Sequence, residues 1–173
     1  MRFHPLTLLA PALVLTQPAV AEVYLTPEQA QAALFPGQAL TPLPVTLTGA
    51  QVDAIESKSG VDVRNKAVQA WRAPDGATFI LDEVLGKHEF ISLAVAISKD
   101  GAVQGVEILE YKESYGHEVR EAEWLAQFKG KTAADTLKLE KDVTNISGAT
   151  LSSKHVTDGV HRLLVTWNVA LKP

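Results

Sequence analysis

The stretch Phe90-Ile-Ser-Leu-Ala-Val-Ala-Ile97 is apolar at seven of its eight positions. A strand of that composition has no water-facing side, so it predicts a central strand covered on both faces. Ser98-Lys-Asp-Gly101 follows it directly and reads as a tight hairpin turn. Moving outward, strand periods run over 67–73, 78–85 and 103–111, broken by Pro74-Asp-Gly76 and by Gly86-Lys-His88. Four strands joined by short turns make an antiparallel meander, and its apolar middle requires helices against it. The fold class that follows is α+β: an antiparallel β-meander flanked by helices.

Two segments supply the helical period. Over 118–129, Glu121, Trp124, Leu125 and Phe128 fall at helical spacing and Gly130 ends the run. Aromatic residues in such a stripe read first as core, although they could also line a pocket. At the C-terminus Val156, Val160, Leu163, Leu164 and Trp167 share one helix face. Immediately before that helix stands Ser147-Gly148-Ala149-Thr150-Leu151-Ser152-Ser153. Small residues at a helix N-terminus let an anion approach unpaired N–H groups, and Thr150 adds a hydroxyl at the same place. The polar loop Glu113-Ser-Tyr115-Gly-His117, where the last strand gives way to a helix, is a second place for ligand contact.

The Ser-Gly-Ala-Thr motif, with the flanking Ser152-Ser153 and the upstream segments 111–117 and 124–131, resembles the FMN-binding domain family. That family includes the flavin-carrying subunits of sodium-pumping quinone reductases and of related ferredoxin-linked complexes. The resemblance implies FMN held by a phosphoester on Thr150, installed by a magnesium-dependent flavin transferase with FAD as donor. It also implies a redox partner protein, such as a membrane-bound complex. By this reading Ser147, Gly148, Ala149, Thr150, Leu151, Ser152 and Ser153 form the phosphate end of the site, and Glu113, Tyr115 and His117 stand beside it. The chain departs from the family at Thr144, where an Asp is usual three residues before the Ser; the nearest acid is Asp142.

Composition narrows the alternatives. The 173 residues are 46% hydrophobic, enough for one packed core, and 16 Lys and Arg against 20 Asp and Glu leave no basic footprint for nucleic acid. There is no cysteine, which removes disulfides, thiolate metal sites and cysteine nucleophiles. No histidine pair has metal-binding helical spacing, and no nucleophile elbow surrounds Ser147. After Arg2, residues 3–21 are uncharged, leucine-rich and end in Ala19-Val-Ala21, the pattern of a cleaved signal peptide, so a periplasmic or otherwise exported protein is expected.

Residues 22–60 form the expected N-terminal helical extension, and 61–173 the expected FMN-binding domain. Within the extension, Thr26-Pro-Glu-Gln29 and Thr48 to Gln51 each offer a capping box, and the proline-rich stretch 36–44 reads as a linker. The function expected is an electron carrier rather than a stand-alone enzyme. The residues alone leave two alternatives, a flavin-dependent reductase of a small acceptor and a cofactor-free binding or assembly module.

Overall fold

The computed structural model describes residues 22–173. The expected signal segment, 1–21, lies outside them. The four strands of the meander stand where the turns place them: β4 (Ala67–Arg72), β5 (Thr78–Leu85), β6 (Phe90–Ile97) and β7 (Val103–Tyr111), each antiparallel to the next. Gly76 and Gly101 sit at φ +89° and +90°, the left-handed region that the turns demand. β6 is the sheet's centre, and Leu93 to Ile97 are fully buried.

The segment before the meander is more than helical. Besides α1 (Pro27–Leu34) and α2 (Gly49–Ser59), it contributes β1 (Glu22–Val23), β2 (Thr41–Pro42) and β3 (Val45–Thr46). β1 pairs with β7, while β2 and β3 pair with β4, so this one segment covers both outer strands of the meander. The stretch read as a linker is therefore partly strand. Pro42 is tolerated there because an outermost strand can spare one N–H. Both capping boxes form, with Thr26 accepting from Gln29 N and Thr48 from Gln51 N.

The two faces of the sheet are covered by different elements. On one side Ala30 and Phe35 of α1 and its C-cap pack on Phe79, Ala94, Ala96 and Leu109. Small residues on β6 let this helix approach, and a Cβ on Gly105 would stand 2.6 Å from Leu34 Cδ2. On the other side lies α4 (Thr150–Thr166), which continues as a π-helical turn over Trp167–Leu171. Val156, Val160, Leu163, Leu164 and Trp167 all enter the larger core with Ile80, Ile91, Leu93, Val95 and Ile97, as their shared face requires. Gly159 admits the closest approach: a Cβ there would lie 2.4 Å from Val84 Cγ1.

The single helix expected over 118–129 is a correction. His117–Arg120 and Ala126–Phe128 are 3-10 turns around a one-turn α3 (Ala122–Leu125), and Glu121 between them is extended at ψ 131°. The apolar spacing survives because the turns bury the same side: Trp124 and Phe128 meet edge to face at 5.3 Å, both in the core. Trp124 Nε1 donates to Thr144 O at 2.8 Å, and Thr144 N donates to Gln127 Oε1 at 2.8 Å, which tethers the chain leading into α4.

Candidate functional site

At the N-terminus of α4 the chain turns through Gly148, φ +83°, where a Cβ would meet nothing; its glycine is needed for conformation, not for room. Ala149 is the N-cap and no side chain caps the helix, so its first-turn N–H groups are left to other partners. They open on a cavity of about 510 Å³. Its walls are the β5–β6 turn (Lys87, His88), the loop after β7 (Glu113, Ser114, Tyr115) and residues 148–152. Tyr115 and Leu151, 81% and 44% exposed, are two of the four exposed large hydrophobic residues among those described, and both line this cavity. The cavity thus has an anion-attracting end, two basic side chains and apolar flanks, a set that suits a phosphate attached to a planar ring.

Of the expected site residues, Glu113, Tyr115, Gly148, Ala149, Thr150, Leu151 and Ser152 come together here. Three stand elsewhere. Ser147 is exposed and outside the lining. Ser153 is buried, with Oγ donating to Ala149 O at 3.0 Å. His117 turns away, its Nδ1 3.2 Å from the Tyr24 hydroxyl and its ring 5.3 Å from that of Tyr111.

Glu113 holds the cavity's shape. Its Oε1 accepts from His88 N at 2.5 Å and Glu89 N at 3.0 Å, which ties the β5–β6 turn to the loop after β7. Burial pushes this carboxyl up, but the backbone N–H groups of His88, Glu89 and Lys87 outweigh it and hold Glu113 below the usual carboxylate range. A carboxyl lowered in the folded state adds stability above its unfolded value, about 4.3, and loses it as the pH falls through its folded value. Glu113→Gln should therefore flatten the acid limb of a stability-against-pH curve and lower stability at pH 7 by about 1–3 kcal/mol. Urea unfolding between pH 2.5 and 7 checks this; an unchanged acid limb would refute the role.

Tyr111, fully buried, joins loop to helix. Its hydroxyl donates to Tyr115 O at 2.5 Å, and with that hydrogen committed it accepts from Ser152 Oγ, 2.9 Å away. Burial raises this phenol above its usual range, so it remains a hydroxyl. In the sequence Lys87 and His88 mark only a turn between two strands. Their place beside Thr150 comes from long-range pairing, including His155 Nδ1 3.1 Å from Gly86 O, which no local pattern announces.

Residues 86–165 match the FMN-binding domain family. This segment is an FMN-binding domain. It begins in the β5–β6 turn at Gly86 and ends inside α4, so it takes in every residue that lines the cavity, while β4 and β5 precede it. The chain is accordingly a flavin-binding protein. No curated protein matches it significantly. Among the described residues no three His, Asp or Glu side chains gather as a metal site, and no helix is long and apolar enough to cross a membrane.

Proposed function

We propose that the FMN-binding domain carries its flavin covalently on Thr150 and acts as an exported electron carrier. The observation that supports this is the position of Thr150. It is the first residue of an uncapped 17-residue helix, exposed, at the edge of a cavity with room for an aromatic ring system. Thr150 Oγ attacks the flavin-side phosphorus of FAD on a transferase; one P–O bond forms, the pyrophosphate P–O bond breaks, AMP leaves, and the hydroxyl proton passes to a base of the transferase. The N–H groups at the start of α4 and the Lys87 ammonium would hold the phosphate, with the His88 ring beside them in the cavity wall. Tyr115 and Leu151 offer apolar surface to the ring. Bound flavin supplies one- and two-electron transfer; this chain sets its exposure and surroundings.

A covalent bond suits so shallow a site. A helix terminus contributes only about 0.3–1 kcal/mol toward an exposed anion, too little to retain a cofactor outside the cell. Mass measurement of the exported protein, co-expressed with a flavin transferase, tests attachment; a mature chain lacking the added mass would overturn the reading. Export is tested by N-terminal sequencing, which should begin at Glu22, because Ala19 and Ala21 are the small residues a signal peptidase requires. A chain retaining Arg2 in the membrane fraction would count against cleavage.

A further inference from the structure

Resting on the assignment of Thr150 as the attachment residue, we infer that Asn145 is a positioning residue for its hydroxyl, held in turn by Glu140. Asn145 Nδ2 lies 3.2 Å from Thr150 Oγ1 and 3.4 Å from Glu140 Oε1, so its two hydrogens have one acceptor each. A carboxylate accepts only, and that fixes which end of the amide faces Thr150. The other end, Asn145 Oδ1, is buried without a partner among the described residues. Nothing on that side holds the amide, so its orientation depends on the Nδ2 contacts. Glu140 is placed for this by unusual backbone: it has φ +64°, one of only two non-glycine residues described with positive φ, and its N–H donates to Val143 O at 2.7 Å. Asp142, the acid nearest the motif in sequence, is engaged elsewhere, accepting from Thr136 Oγ1 at 2.5 Å and Lys138 N at 3.1 Å.

The chemistry at Oγ explains why a donor belongs here. A threonine in a helix divides between two χ1 rotamers, and an external donor selects one. When Oγ attacks phosphorus it gives up its proton, and afterwards it is an ester oxygen that can only accept. An amide N–H suits the hydroxyl, the transition state and the ester alike, whereas a carboxylate at 145 would suit only the first and would repel both Glu140 and the phosphate.

The test uses the full mature chain with transferase and FAD, and two readouts. Asn145→Ala should slow covalent labelling about ten-fold, with little change in the protein concentration giving half-maximal rate, and Asn145→Asp should slow it further. Glu140→Gln, which keeps an acceptor oxygen, should lose less than three-fold. Independently of labelling, three-bond NMR couplings should report one χ1 rotamer for Thr150 in the parent chain and averaging in Asn145→Ala. Labelling of Asn145→Ala and Asn145→Asp at the parent rate, or an unchanged Thr150 rotamer, would overturn the inference. If Asn145→Ala fails to melt cooperatively, the isosteric Asn145→Asp decides. A parent chain that takes no label would instead overturn attachment at Thr150, and the rotamer measurement still decides the role of Asn145.

Discussion

Thr150→Val is expected to fold normally and to carry no covalent flavin. Valine keeps the branching and volume of threonine, and the two have similar helix propensity, so an exposed first-turn position should change stability by no more than about 0.5 kcal/mol. What disappears is the one oxygen able to form the ester. Thr150→Ser keeps it and should retain part of the label. The neighbouring hydroxyls are poor substitutes: Ser153 Oγ is spent on Ala149 O and Ser152 Oγ on Tyr111, both buried. Only Ser147 is exposed in this run of serines. In-gel flavin fluorescence after denaturation, with peptide mass mapping of residues 142–154, reads the result. Fluorescence surviving in Thr150→Val with the added mass on Ser147 would move the attachment point; survival with no mass on this peptide would remove the motif from the chemistry.

Gly116→Ala should be among the most damaging single substitutions in the domain. Gly116 has φ +92°, and an added Cβ would stand 2.5 Å from Ala149 Cβ and 2.6 Å from the Tyr111 hydroxyl oxygen. The left-handed conformation costs about 1–2 kcal/mol for alanine, and overpacking about 1–3 kcal/mol more. A loss of about 2–5 kcal/mol by urea unfolding is expected, together with reduced flavin loading, because Ala149 is the N-cap of α4 and Tyr115 O is fixed through Tyr111. Gly130→Ala separates the two causes. Gly130 has φ +79° but open space around it, so only the conformational part should be lost. Equal losses at both positions would show that the contact of Gly116 with Ala149 contributes nothing.

The meander was legible because its turns are written in glycine and its centre in uninterrupted apolar residues; 78–85, 90–97 and 103–111 match the observed strands to the residue. α4 was legible from one apolar face. The helix over 118–129 was not, because 3-10 turns and a single α-turn can bury Trp124, Leu125 and Phe128 on one side as a continuous helix would. Two-residue strands such as β1 to β3 leave no period to read. At the site, the sequence exposed the motif on α4 and part of the loop after β7. It hid Lys87 and His88, which reach the cavity only because Glu113 draws their turn across, and it hid the link from Asn145 to Thr150, which depends on how residues 140–145 bend.

The pairing of β1 with β7 and of β2 and β3 with β4 has a consequence for the order in which the molecule is put together. Glu22 meets Tyr111 and Thr41 meets Arg72, so the residues that leave the ribosome first among those described are bound by strands that come later. Closing the loop from Glu22 to Tyr111 rather than a ten-residue one costs roughly 2 kcal/mol in chain entropy, and the shorter loop from Thr41 to Arg72 roughly 1 kcal/mol, which favours the hairpins of the meander forming ahead of both. Until then both outer strands offer unpaired N–H and C=O groups to any neighbouring chain. A fragment cut to 86–165 would make that temporary condition permanent, with β6 as a bare edge, and expression of the cavity-bearing segment alone should give aggregates where the chain from Glu22 onward gives monodisperse protein.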